Sequence, residues 1–557
     1  MTQIAAASVT DSARHPLGSK AKVLLVSIFG PYALDDANGS RELNPMELYH
    51  HQVTREQGAF SLRTFHRSWG LMLIQANLQA DCTVLDYPTL ERFVEELTTQ
   101  KYDVVGISGI PTNLFKVRKM CKLVRKHLPE ATLLIGGHIA NVPDLDRWCG
   151  ADHIVKGEGV RWMRRYLGED EDAPLKHPRV LANLRTRIMG VMLRNNPGNK
   201  AATLIPAVGC PMGCNFCSTS AMFGGKGKFV RFFESSEQLF WTMCDLEKSL
   251  KIQAFFVMDE NFLFDRKRAL ELLALMEQHA KPWSLYIFSS ANVLRHYTPD
   301  ELVRLGLSWV WIGLEGKDSR YAKLKKTDTH AMVRELQSHG IRVLGSTIIG
   351  LEEHTPENID AVVEFAVSHA TEFHQFMLYT PTPGTPLFAE HQAAGSLKSL
   401  AEVNVSDIHG QGQFSFYHPH ITEGQEGEFL MRAFRRDLAV NGPSIVRIVR
   451  TTLRGWKRYK NHPDARIRAR FAYEAKNLPL KYAGIVWAAR QHLRDRPEMW
   501  KLMTDLLEEF HVEFGLRSRL GAAIAGRYLL HTVRREEKRL AEGWTYEPPT
   551  FYEHRRP

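Results

Sequence analysis

Apolar and polar positions along the chain form two successive alternations of short hydrophobic runs with amphipathic stretches. In the first, Lys22–Phe29, Cys82–Tyr87, Asp103–Ile110, Thr132–Gly137 and His153–Lys156 are nearly continuous apolar runs, the mark of strands buried on both faces. Leu62–Leu78 and Asn113–His127 between them read as helices, the second with Lys and Arg on its outer side. This predicts an α/β domain over 21–167, a doubly wound parallel sheet. A polar linker over 168–200 leads to the second alternation. Its strands are Thr203–Val208, Ala254–Met258, Ser284–Ser289, Trp309–Leu314, Val343–Ile349 and Gln375–Tyr379, with helices such as Glu237–Lys248, Arg266–Ala280 and Thr329–His339. Six such units over 201–390 predict a partial or complete (β/α)6 barrel. From Glu426 to Ala541 the pattern is helical, so 391–557 reads as an all-helical C-terminal region. Residues 1–20 read as a disordered lead.

Charge changes this picture in one place. The chain of 557 residues carries 72 Lys and Arg against 62 Asp and Glu. Between Met431 and Pro557 the count is 27 basic to 14 acidic, leaving 45 to 48 in the first 430 residues. The whole positive excess therefore lies in the last quarter, which argues against a uniformly basic nucleic-acid coat. No run of about 18 apolar residues predicts a membrane span, and the N-terminus lacks secretory-signal features. Both point to a cytoplasmic protein. Seven cysteines are too few for a disulfide scaffold.

Candidate chemistry gathers at strand ends. Ser108-Gly109, Gly136-Gly137-His138 and Gly157-Glu158-Gly159 follow the last three strands of the first sheet. Any one could be just a tight turn, but three on the carboxyl edge of one sheet mark a ligand site. After the first barrel strand comes Cys210-Pro-Met-Gly-Cys214-Asn-Phe-Cys217. Structural zinc sites want four ligands, usually as two pairs, and Cys82, Cys121, Cys149 and Cys244 are isolated. Three convergent thiolates instead suit a four-iron, four-sulfur cluster with one iron left open.

The cysteine motif, with Phe216 before its last cysteine and the (β/α)6 pattern behind it, resembles the radical S-adenosylmethionine (SAM) superfamily. That resemblance implies a [4Fe-4S] cluster on Cys210, Cys214 and Cys217, and SAM cleaved reductively to a 5′-deoxyadenosyl radical. It also implies SAM contacts at Asp259 and Glu260 in Met258-Asp-Glu-Asn261, at Glu315, and at Ile348 and Gly350 in Ser346-Thr-Ile-Ile-Gly350, where Ser346 replaces the usual glycine. An open α/β domain ahead of the barrel resembles the cobalamin-binding radical SAM proteins, as does Tyr379-Thr-Pro-Thr-Pro-Gly384-Thr-Pro-Leu. Ser108, Gly109, Gly136, Gly137, His138, Gly157, Glu158 and Gly159 then become cobalamin contacts. The D-x-H-x-x-G element that supplies an axial histidine elsewhere is missing from Gly30–Gly39, which implies a cobalt without protein histidine. Asp407-Ile-His409-Gly410 is a partial look-alike, but it lies beyond the barrel.

What the resemblance implies for activity is a C-methyltransferase in which methylcobalamin delivers the methyl group to an unactivated carbon. Cyclisation or rearrangement, RNA modification, and a cobalamin sensor with an inactive barrel remain alternatives. Partners implied are a reductant such as flavodoxin or ferredoxin and a hydrophobic or lipid substrate, with hopanoid methylases the members most resembled. Pro443–Lys460 places Ile445, Ile448, Val449, Thr452 and Trp456 on one helical face amid Arg and Lys, which reads as a membrane-surface helix or a cap packed on the barrel. Peripheral contact with the inner face of a membrane follows from the first reading. Asp407–His420 holds weak catalytic candidates, His409, Tyr417 and His418.

Overall fold

The computed structural model describes residues 14–32, 37–40, 44, 46–193, 200–315, 327–399 and 401–556. Most of the lead (1–13), Ala33–Asp36 of the Gly30–Gly39 stretch, and part of the expected linker (194–199) lie outside them.

Five parallel strands form the first sheet: β1 (Lys22–Ser27), β2 (Asp81–Asp86), β3 (Val104–Ser108), β4 (Thr132–Gly136) and β5 (His153–Ile154), in the flavodoxin-like order β2-β1-β3-β4-β5. The continuous apolar character of β1 has a direct cause. Leu24 and Val26 pack with Leu114, Val117 and Met120 on one face, while Val23 and Leu25 pack with Leu71, Trp162 and Tyr166 on the other. The helix expected at Leu62–Leu78 is shorter, running from Trp69 to Ala76. Before it, Arg63–Phe65 pairs antiparallel with Leu184–Ile188, which pairs in turn with Val191–Met192. The stretch read as a polar linker thus contains a hairpin, held from outside by Phe65 stacking on Tyr546 at 5.0 Å and by Arg187 pairing with Glu536 at 2.5 Å. These are long-range partners that no local pattern reveals.

The second sheet runs in chain order through β6 (Ala201–Leu204), β7 (Ala254–Val257), β8 (Ser284–Ser289), β9 (Leu307–Gly313), β10 (Arg342–Ile349) and β11 (Phe373–Leu378), all parallel, with β6 and β11 as its edges. It is an open barrel. Leu285, Ile287, Val310 and Ile312 point outward beneath the helices. Their neighbours Tyr286, Phe288, Trp309 and Trp311 join Phe256 and Phe373 in one stacked aromatic filling inside. The segment 47–69 reaches into the same interior, where Tyr49 packs on Phe373 and His66 stacks on Phe256.

The helices Gln425–Asn441, Ser444–Tyr459 and Ala465–Ala475 pack on the barrel, and the third helps close its amino-terminal end. Glu474 is buried there. It accepts from Ser284 Oγ at 2.8 Å, Arg470 at 2.9 Å and Arg342 at 2.5 Å, and Arg470 also donates to the carbonyls of Val303 and Leu307. The basic helix is an internal strut. Arg447 is 1% exposed and bonds Asp437 at 2.7 Å and 3.1 Å, while Val446, Val449 and Leu453 are buried. Of the two readings of Pro443–Lys460, the packed cap is the observed one: its apolar face is buried, and Arg447 also donates to the Thr371 carbonyl at 2.7 Å. The C-terminal region is helical up to Ala541 and then adds a strand, which departs from the all-helical expectation. Phe551–Arg555 pairs antiparallel with β2 and covers that edge of the first sheet.

Candidate active site

The cysteine loop leaves the carboxyl end of β6. The strand expected over Thr203–Val208 breaks after Leu204, and Ala207–Val208 pairs with Val230–Arg231 to tie off the loop. Gly213 has φ of +68°, and a Cβ there would meet Lys226 at 2.5 Å, so only glycine lets the loop fold over this residue. Cys210 is held by Ser220 Oγ donating to its carbonyl at 2.7 Å, and Cys217 caps the helix Ser218–Met222 through its sulfur. Burial pushes the Cys210 thiol up to about 12, with the Cys217 and Cys214 charges adding to it. Thiols whose ionised forms repel one another call for a metal centre to hold them together as thiolates. The triad therefore fits an iron–sulfur cluster.

Glu260, at the end of β7, faces this loop. The Gly209 N–H donates to its carboxylate, while Oε2 is buried with no hydrogen-bond partner, and burial lifts its pKa to about 8. An orphaned buried carboxylate oxygen beside a cluster site fits the ammonium of an amino acid such as SAM. Asp259 differs. Its Oδ2 takes a 2.7 Å ion pair from Arg268 and its Oδ1 caps Asn261 N, so it positions the turn. Glu315 is 2% exposed, follows β9 with φ of +43°, and is anchored by its N–H on the Ser346 carbonyl at 3.2 Å. Gly350 packs on the Phe414 ring, which a Cβ would meet at 2.3 Å, and Ile348 is buried beside it.

On the first sheet the glycine turns interlock. Gly137 has φ of +81°, and a Cβ on it would meet the Gly109 carbonyl at 2.6 Å and Ser108 Oγ at 3.0 Å. Gly109 N in turn donates to the Gly136 carbonyl at 3.2 Å. Thr112 Oγ1 and His138 Nδ1 are buried on the same edge without partners, and burial holds the His138 pKa below its ordinary value. Unpaired polar atoms around a glycine cradle fit a large amide-bearing ligand such as cobalamin. The third turn works differently. Glu158 caps the helix Gly159–Tyr166 with both oxygens, at 2.5 Å to Val160 N and 2.9 Å to Arg161 N, and Gly159 makes room for Ile74. Gly157, with φ of +83°, lies 3.9 Å from the Met222 carbonyl by its would-be Cβ. The two edges meet, since the turn His138–Asn141 packs against Ser218–Met222, the helix leaving the cysteine loop. A cleft of about 520 Å3 runs beside this contact between Asn141, Lys156, Thr385 and Phe388.

Of the Asp407–His420 candidates, His409 is the one that keeps a buried ring nitrogen, Nε2, without a partner. Burial, aided by His51 and Arg55, pulls its pKa to about 4. His418 is committed to structure: Nε2 meets the Leu351 carbonyl at 3.0 Å and Nδ1 accepts from Ile421 N at 3.0 Å. Tyr417 is 53% exposed and bonds Glu402 at the surface. Sequence reading missed Glu47, His50 and His51, whose ligand atoms lie within 4.8 Å of one another close to His409. Their E-x-x-H-H pattern is too short to separate from an ordinary helix turn.

Two family descriptions match the chain. B12 binding domain covers residues 59–166, and Radical SAM superfamily covers 204–366. The bacteriochlorophyllide d C-12(1)-methyltransferase of Chlorobaculum tepidum is 32% identical over 35% of this chain and 44% of its own. The hopanoid C-2 methylase of Rhodopseudomonas palustris is 27% identical over 38% of this chain and 40% of its own. The chain thus spans less than half the length of each. In fold it is similar to the radical S-adenosylmethionine methyltransferase TsrM from Kitasatospora setae, with a TM-score of 0.50 and 16% identity over 82% of this chain and 99% of that one. A B12 binding domain joined to a radical SAM domain defines a cobalamin-binding radical SAM enzyme. The chain falls in the methyltransferase class of these enzymes, with a [4Fe-4S] cluster, SAM and cobalamin as cofactors.

Proposed function

We propose that this enzyme methylates an unactivated carbon of a polycyclic, apolar, membrane-derived substrate, a hopanoid-like triterpenoid. One observation carries the reading of two cooperating cofactor sites: the helix leaving Cys217 packs on the turn that ends β4, so both edges share one junction. When bound, the cluster with SAM supplies one-electron chemistry and cobalamin supplies the methyl carrier. The chain's own residues do the rest. Cys210, Cys214 and Cys217 would hold the cluster, Glu260 would receive the SAM ammonium, and the Gly109–Gly137 cradle would admit cobalamin. His409, neutral above about pH 4, offers a proton acceptor where the two domains meet. Phe288 and Trp311, stacked at 5.0 Å inside the barrel, give an apolar wall that excludes water and suits a ring-fused hydrocarbon. Electrons come from a flavodoxin or ferredoxin type of reductant.

The hopanoid C-2 methylase relative supports the triterpenoid choice, and the bacteriochlorophyllide methyltransferase relative supports a flat tetrapyrrole as the second reading. Anaerobically reconstituted enzyme, supplied with SAM, reductant and each substrate class in turn, should yield a triterpenoid heavier by one methylene. Deleting the gene should remove that lipid from the cell. Product from the tetrapyrrole alone, or an unchanged lipid profile, overturns the triterpenoid assignment. Retained physiological function in Cys214→Ala would mean a sensor and overturn catalysis altogether.

A further inference from the structure

We propose that the outer edge of the C-terminal helical region is a docking surface for an anionic lipid bilayer. The proposal deepens the reading of a membrane-derived substrate, on which it rests for its purpose. After the helix Pro497–Phe514 the chain turns at Gly515 and continues as Leu516–Leu520, a π turn at Gly521–Ala525, and the helix Gly526–Ala541. Leu516, Leu520, Ile524 and Tyr528 recur every fourth residue along this run and are 70%, 46%, 69% and 61% exposed. Four-residue steps drift by about 40° each on an α-helix, and the wider π turn takes back part of that drift, so the side chains keep to one edge. Gly521 lets Leu480 join them: a Cβ there would meet the Leu480 carbonyl oxygen at 2.5 Å, and Leu480 itself is 52% exposed. Val512, four residues before Leu516, is 86% exposed.

Charge decides what covers this stripe. From Phe514 to Arg535 there are five arginines and no acidic residue. Lys481, Arg517, Arg519 and Arg527 are exposed along it, and no ion pair among the described residues involves them. Several other outer cations of the region are paired: Lys457 with Glu509, Lys460 with Glu513, Arg432 with Asp360 and Arg436 with Glu364. Unpaired guanidiniums beside a row of exposed aliphatic side chains match an anionic interface, where the apolar groups enter the headgroup boundary and the cations meet phosphates. A second copy of the chain fits less well, since a twofold contact would press this positive patch against itself.

The test is co-sedimentation of the full-length holoenzyme with vesicles of phosphatidylcholine alone or mixed with phosphatidylglycerol, none containing a triterpenoid. Binding is expected to the mixed vesicles only and to weaken with salt. At about fivefold per basic residue, Arg517→Glu with Arg519→Glu should lower the partition at least twentyfold. Leu516→Ser with Ile524→Ser should lower it about tenfold. Circular dichroism establishes that each pair still folds, and all four positions are exposed. Equal binding to neutral vesicles, no binding, unaffected variants, or a dimer that the leucine and isoleucine changes dissociate would each overturn the proposal. Because these vesicles hold no substrate, failure here leaves the methylation reading standing, and an unchanged lipid profile leaves the docking surface standing.

Discussion

Replacing Glu260 by glutamine separates the charge of one carboxylate from its shape. In the wild type one oxygen is buried without a hydrogen-bond partner while the Gly209 N–H holds the group in place. Glutamine keeps the size and the acceptor for Gly209 but removes the charge that a SAM ammonium would meet. Hydrogen bonds to charged groups contribute about 1.5–3 kcal/mol, which corresponds to roughly 10–100-fold in affinity. The dissociation constant for SAM, measured by equilibrium dialysis on reconstituted enzyme, should therefore rise by that factor. Iron content should stay unchanged, because the cysteines are untouched. Thermal stability without SAM should not fall, because an uncompensated buried carboxyl has been removed. SAM affinity within twofold of wild type would refute the role given to Glu260, and so would a loss of affinity that tracks loss of iron.

Gly137→Ala forces a side chain into a left-handed backbone and against the Gly109 carbonyl at 2.6 Å. It should cost about 1–3 kcal/mol and sharply lower the cobalamin retained after gel filtration, with iron content intact. Full cobalamin occupancy would remove the cradle from the binding site. Glu474→Ala strands Arg342 and Arg470, both buried, at the closed end of the barrel. Urea unfolding should show about 3–5 kcal/mol of destabilisation, and a loss below about 1 kcal/mol would mean the helical region does not brace the barrel. His374 is fully enclosed between Thr347 and Thr371, and burial lowers its pKa to about 3. Its unfolded form binds a proton near the ordinary value of 6.5, so stability is full above that pH and falls as pH drops toward 3. His374→Gln should flatten the dependence of unfolding free energy on pH by about 1.4 kcal/mol per unit between pH 6 and 4, and an unchanged slope would refute this origin.

Much of the site was legible because its chemistry is local. The cysteines fall within eight residues, and the glycine turns sit where apolar runs end, so spacing marked both candidate edges. Glu158 shows what spacing leaves open, because a glutamate between glycines after a strand looks the same whether it contacts a ligand or caps the next helix. Only the hydrogen bonds to Val160 and Arg161 distinguish the two. Tyr417 and His418 part from His409 for a related reason: nearby residues of one loop point to different partners, and sequence proximity says nothing of direction.

The sequence by itself determined the two parallel sheets and the cysteine loop, since each follows from hydrophobic period and short-range spacing. Tertiary structure decided what the last quarter does. Its charge excess, read along the chain, suggested one uniformly cationic helical module. In the fold, Arg447 and Arg470 turn inward to buried acidic partners and carbonyls, while Arg517, Arg519 and Arg527 stay outside beside exposed leucine and isoleucine. The physical reason is that a residue's charge is fixed by its identity. Whether that charge is neutralised, buried or presented depends on neighbours tens to hundreds of positions away.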